Sequence, residues 1–242
     1  DVERSRGLGD VYKRQEKIIG VSMDLTESTK ILQLASSTSL IIPAIGIHPW
    51  KVKKKPECSS LYTHFSRLID EHPNLQLIGE VGVDHYHIKE KTRQFYQHKV
   101  FDLFCRLAHD YQLRLVIHSP GAVPTILSML KKHQIPGSHC IFHWFSGTLN
   151  ELAQLIEYGV FFSLTPALAY SSRHQNVALN VPSDRLLTES DGPVKYRSGI
   201  RGEPSVIPSV LEHLAALRGQ DLHTTQKLVY DNFSHFLSSS CS

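Results

Sequence analysis

At 242 residues the chain has the length of one large domain, and 41% hydrophobic with 20% charged residues is the composition of an ordinary water-soluble fold. No window holds the roughly 18 uninterrupted apolar residues of a membrane span, and the first residues lack the apolar core of a secretory signal. A net charge of +3 excludes the global basic field of many nucleic-acid binders. Four widely spaced cysteines (Cys58, Cys105, Cys140, Cys241) without a C-x-x-C pair argue against a disulfide framework and a thiolate zinc site, and fit a reducing cytoplasm.

The first apolar run, Ile18–Met23, predicts a buried strand, and Glu27–Ala35 predicts the helix that follows it. Strand Leu40–Ile47 runs into His48. The cluster Lys51, Lys53, Lys54 and Lys55 comes next and reads, on charge alone, as a solvated loop. Helix Ser59–Glu71 leads to strand Leu75–Val81, which carries Glu80. The long helix Thr92–Gln112 puts Phe101, Phe104, Leu107, Ala108 and Tyr111 along one face. Strand Arg114–His118, helix Ala122–His133, strand His139–His143 and helix Leu149–Tyr158 continue the alternation. Strand Gly159–Ser163, helix Arg173–Asn180 and strand Arg185–Thr188 come next, and helices Ile207–Leu217 and Thr224–Leu237 close the chain.

Strands that are apolar throughout and alternate with helices make a parallel sheet covered by helices. Seven strands fit either an open doubly wound sheet or most of an eight-stranded barrel. The absence of a G-x-G-x-x-G after any strand weakens the dinucleotide-binding version. Without repeats or linkers, the chain reads as one domain.

Histidine and carboxylate recur at strand ends: His48, Glu80, His118, His143, and Asp191 after Leu186–Ser190. In a parallel barrel these ends share one rim, so residues far apart in sequence meet there. Taken singly, each has a bland reading as a rim hydrogen-bonder, a cap or a turn residue. Together they make the mixed nitrogen and carboxylate set of a zinc, manganese or magnesium hydrolase.

At these residues the sequence resembles the TatD family of metal-dependent deoxyribonucleases, amidohydrolase-like TIM barrels. The matching motifs are Gly46-Ile47-His48-Pro49, Ile78-Gly79-Glu80-Val81-Gly82-Val83-Asp84, Ile117-His118-Ser119, Phe142-His143-Trp144-Phe145-Ser146-Gly147 and Thr188-Glu189-Ser190-Asp191-Gly192-Pro193. The resemblance implies an α/β (β/α)8 barrel and two divalent ions (Mg, Mn or Zn) bridged by Glu80. It implies that His118 and His143 bind one ion, and that Asp191 binds the other and takes the proton of the attacking water. His48 and Asp84 would line the substrate pocket. Ser146 and Arg201 are further substrate-site candidates, and Lys53, in the lysine run after the strand ending in His48, falls on the same rim, where it would steer a polyanion.

Three departures follow. Pro120 stands where the family often has arginine, and Arg201-Gly202-Glu203-Pro204 stands for its Arg-Asn-Glu-Pro. The family's opening strand ends in His-x-His, which supplies two ligands to the first metal, yet His48 is the first histidine here. Residues 1–15 read as a foreign leader, residues 16–242 as the barrel, with the first strand and helix missing or replaced and the first metal site incomplete. The expected activity is two-metal hydrolysis of DNA phosphodiesters by a cytoplasmic monomer with no membrane partner. The same site would also suit an ester or amide hydrolase acting on RNA or tRNA, such as a D-aminoacyl-tRNA deacylase. A metal-poor barrel that only binds nucleic acid is the third reading.

Overall fold

The computed structural model describes residues 15–238. Seven parallel strands pair in chain order: β1 (Ile18–Val21), β2 (Ile41–Ile45), β3 (Leu77–Gly82), β4 (Arg114–His118), β5 (Cys140–Phe142), β6 (Phe161–Leu164) and β7 (Leu186–Thr188). Between them run α1 (Leu25–Ser37), α2 (Cys58–Glu71), α3 (Lys91–Asp110), α4 (Val123–Lys132), α5 (Leu149–Tyr158) and α6 (Ser172–Asn180), and α7 (Ile207–Arg218) and α8 (Leu222–Ser238) follow β7. Among the described residues β1 and β7 are unpaired edges, so the sheet is a curled, open half-barrel rather than a closed eight-stranded one. The expected foreign leader and the missing or replaced first strand fall almost wholly outside the described residues.

Curling is legible in the two apolar clusters. One buried residue from each of β2 to β7 (Ala44, Leu77, Val116, Ile141, Phe161, Leu187) packs with Phe236 of α8 and with no residue of the intervening helices. That is the inward-facing layer of a barrel, closed at one end by the last helix. Neighbours of opposite parity, such as Ile45, Ile78, Leu115, Ile117, Phe142 and Phe162, face outward into the larger cluster with Phe65, Phe101, Phe104 and Leu107 of the helices. A flat doubly wound sheet would carry helices on both faces, so the barrel alternative holds.

The predicted elements reappear with ends shifted by a few residues. Gly159 is a correction. It caps α5 in the left-handed conformation, φ 83°, and β6 begins only at Phe161. Thr148 and Glu151 close the other end of that helix as a reciprocal capping box.

Candidate metal centre

Strand parity delivers most of the site. Val116, Ile141 and Leu187 point inward, so His118, His143 and Glu189, each two residues further on, point inward at the strands' carboxyl ends. Glu80 has the wrong parity relative to inward Leu77. A register shift between Ile78 and Val81 corrects it: Val81 then pairs with Ile117 and faces outward, which turns Glu80 in. Next to the shift, Gly82 sits at φ 147°, and a Cβ there would lie 2.0 Å from the His118 carbonyl oxygen. Only glycine lets β3 approach β4 this closely.

Three imidazoles converge on one oxygen. Glu80 Oε1 lies 3.2 Å from His48 Nε2, 3.1 Å from His118 Nδ1 and 3.1 Å from His143 Nε2, and all four side chains are buried. Although so surrounded, Oε1 has no aligned hydrogen-bond donor. A buried carboxylate oxygen without a donor costs free energy unless a cation satisfies it.

The far sides of the rings decide which nitrogens carry lone pairs. Asp84 Oδ2 faces His118 Nε2 at 2.9 Å, and Glu189 Oε2 faces His143 Nδ1 at 3.0 Å. A carboxylate only accepts, so those nitrogens are protonated. In the neutral rings His118 Nδ1 and His143 Nε2 are then free donors of electron pairs toward Glu80. His48 is arranged the other way. Its Nδ1 accepts the Trp50 backbone N–H at 3.2 Å, which leaves the proton on Nε2. His48, Glu80 and His118 are the described residues close enough to share an ion, although in that tautomer His48 turns an N–H, not a lone pair, toward Glu80. His143 lies outside that group, although its Nε2 stands 3.1 Å from the same Glu80 oxygen, and the imidazole and carboxylate donors gathered here suit a divalent cation.

Electrostatics agree. Burial opposes ionisation of Glu80, but the charge of His143 and the other two imidazoles outweigh it and hold the carboxyl well below the usual range. His143 is raised well above an ordinary histidine by Glu80 and Glu189 against the effect of burial. His118 is raised by Asp84 and Glu80, again against burial. Burial lowers His48, consistent with a neutral ring. Burial pushes the Asp191 carboxyl up to about 6, with Glu189 and Glu80 adding to it and His143 opposing.

The structure places the other expected residues as follows. Asp191, in the left-handed conformation at φ 44° after β7, feels the charges of Glu80, His118 and His143 but lies outside the group that can share an ion among the described residues. Asp84, expected at the pocket wall, is fully buried, with its carboxylate occupied by His118, by Trp50 Nε1 (2.7 Å) and by His87 Nδ1 (2.8 Å) and N–H (2.7 Å). His48, expected to touch substrate, stands against Glu80 itself. Ser146 is half-buried and its carbonyl accepts from Arg173 at 3.3 Å. Lys53 and Arg201 are exposed, the latter in a hairpin paired with Lys195. Lys51 is drawn away by Asp24 at 2.8 Å. Glu189 went unassigned in the sequence reading; its place two residues beyond Leu187 marks it only once the structure shows Leu187 facing inward.

The sequence matches the family "TatD related DNase" over residues 6–238. The chain belongs to this family. It is 30% identical over 228 residues to an uncharacterized metal-dependent hydrolase of Haemophilus influenzae, covering 91% of this chain and 89% of that protein. It is 28% identical over 229 residues to the 3'-5' ssDNA/RNA exonuclease TatD of Erwinia tasmaniensis, covering 87% and 86%. A crystal structure of the TatD homologue YjjV from Escherichia coli superposes with a TM-score of 0.82 at 21% identity, over 97% of this chain and 93% of that one. The chain is thus a TatD-family metal-dependent hydrolase with a barrel-like fold. No helix among the described residues is long and apolar enough to cross a membrane.

Proposed function

We propose that this TatD-family chain hydrolyses phosphodiester bonds of single-stranded DNA with a divalent cation held by Glu80, His118 and His143. The observation that carries the reading is the buried Glu80 oxygen faced by two imidazole nitrogens whose far sides are tied to Asp84 and Glu189. Such outer carboxylates fix ring orientation and raise ligand basicity. One carboxylate with two imidazoles suits zinc or manganese better than magnesium. When bound, the ion supplies Lewis acidity to an attacking water and to a phosphoryl oxygen.

The chain's own groups complete the chemistry. Asp191, half-buried and held near 6, accepts the proton of the water as it attacks phosphorus. The His48 Nε2–H donates to a phosphoryl oxygen, a bond that strengthens as negative charge grows there. Lys53, Ser146 and Arg201 contact phosphates on either side of the reacting one. The same proposal includes a second divalent ion, which Glu80 and Asp191 would hold. The name of the Erwinia tasmaniensis relative, an exonuclease on ssDNA and RNA, favours the phosphodiester over an aminoacyl ester.

Purified chain with manganese should shorten an end-labelled single-stranded oligonucleotide, stop when a chelator is added, and leave D-aminoacyl-tRNA intact. Deacylation of the tRNA without cleavage of the oligonucleotide would reverse the assignment, and cleavage that persists in chelator would remove the metal from it.

A further inference from the structure

Aromatic rings lead outward from the metal centre in one direction. His118 and His48 lie 4.5 Å apart between centroids, His48 and Trp50 5.2 Å, Trp50 and His87 5.5 Å, and His87 and Tyr86 4.9 Å. The inner two rings are buried. The outer three are not: Trp50 is 43% and Tyr86 64% exposed, and the His87 side chain is 50% exposed. Large exposed rings are usually free to swing, but Trp50 is fastened on several sides. Its Nε1–H donates to Asp84 at 2.7 Å, its backbone N–H to His48 Nδ1, and its carbonyl accepts from Arg93 at 3.4 Å. Asp84 also fixes His87, and Gln97 joins the two loops through the Asp84 N–H and the Pro49 carbonyl. Exposed apolar surface held this rigidly is preorganised to be covered.

The charge around these rings says what covers them. Segments 48–57 and 84–93, which carry the rings, contain seven Lys and Arg against three carboxylates. Their excess of four exceeds the excess of three for the whole chain. One of the three carboxylates is the fully buried Asp84, and Lys89 Nζ sits 5.2 Å from the Tyr86 ring centroid. Fixed aromatic surface bordered by flexible cations, beside a phosphate-cleaving centre, is the pairing that single-stranded nucleic acid requires: bases stack on rings while phosphates track the cations. Duplex DNA keeps its base faces covered and gains nothing from it.

We infer that Trp50, seconded by His87, is a stacking platform for the nucleobase beside the cleaved phosphate, with Lys53 to Lys55 and Lys89 guiding the adjoining backbone. The inference rests on the phosphodiesterase reading above. Trp50 is a specificity residue here and takes no part in proton transfer.

The test uses manganese-loaded protein and two single-stranded oligonucleotides, one of them abasic on both sides of the cleaved phosphate. Trp50→Ala should raise KM for the natural oligonucleotide about tenfold, the loss typical of one base–aromatic stack, while kcat stays nearly constant. On the abasic oligonucleotide the variant and the wild type should match, and Trp50→Phe should restore most of the affinity. Unchanged KM on the natural strand, or an equal loss on both strands, would overturn the inference, because the indole would then act only by bracing Asp84. Binding is read separately from cleavage in chelator. The chain has two tryptophans, so Trp144→Phe leaves Trp50 as the one indole, and oligothymidylate should quench its emission. Quenching without cleavage at any metal concentration would sink the phosphodiesterase reading and leave the platform standing; cleavage without quenching would do the reverse.

Discussion

Glu80→Gln should lower kcat/KM for the oligonucleotide by about a thousandfold or more, roughly 4 kcal/mol of transition-state stabilisation. The amide keeps the shape of the side chain and the inward turn made by the register shift in β3. What it loses is the charge on which His48, His118 and His143 converge. Without that charge the cation loses its only carboxylate among the three proposed ligands, and the water loses its activation. Because the change is isosteric, the circular-dichroism melting curve should remain that of a folded barrel, which separates a lost centre from a lost fold. A variant hydrolysing within tenfold of wild type would show that Glu80 is not at the reacting centre.

Asp191→Asn should lower kcat by a factor of about 100 to 10,000, the usual worth of a positioned general base, with little change in KM. The pH profile gives the second reading of the same residue. A base must be deprotonated to accept a proton, so the wild-type rate should fall on the acid side as pH drops through the carboxyl's pKa. Burial holds that pKa at about 6 in the metal-free chain, and a neighbouring cation moves it downward, so the acid limb should lie at or below about 6. The asparagine variant should lack this limb. An acid limb unchanged in Asp191→Asn would transfer the role to another group.

The sheet was legible in the sequence because its strands are short, apolar and separated by helices with clear period, as with Phe101, Phe104 and Leu107 on α3. Sequence alone left open whether the sheet was flat or curled. Inward Val116 and outward Leu115 are both apolar, and only their partners separate the faces. His118 and His143 were visible as strand ends, and parity from Val116 and Ile141 puts them inside. Glu80 was read correctly as a strand-end acid, but its inward turn depends on a register shift that no spacing announces. Asp84 and His48 were expected to meet substrate. Their hydrogen bonds to His118, Trp50 and His87 come from loops brought together by Gln97, a contact spanning 48 residues on one side. Charge patterning likewise grouped Lys51 with its neighbours, whereas Asp24 of the preceding loop engages it.

The central claim is a cation site on Glu80, His118 and His143, and calorimetric titration of the metal-free chain with manganese or zinc tests it most directly. In that chain His118 and His143 are raised above the ordinary histidine value by the carboxylates around them, so protons compete with a cation for the nitrogens that face Glu80. A cation must displace those protons. The account predicts saturable binding with proton release, read from heats that vary with the ionisation enthalpy of the buffer. It also predicts an affinity that rises as pH is raised from about 6 to 8, and the loss of both effects in Glu80→Gln. Absence of binding, or binding that is independent of pH and survives in Glu80→Gln, would contradict it.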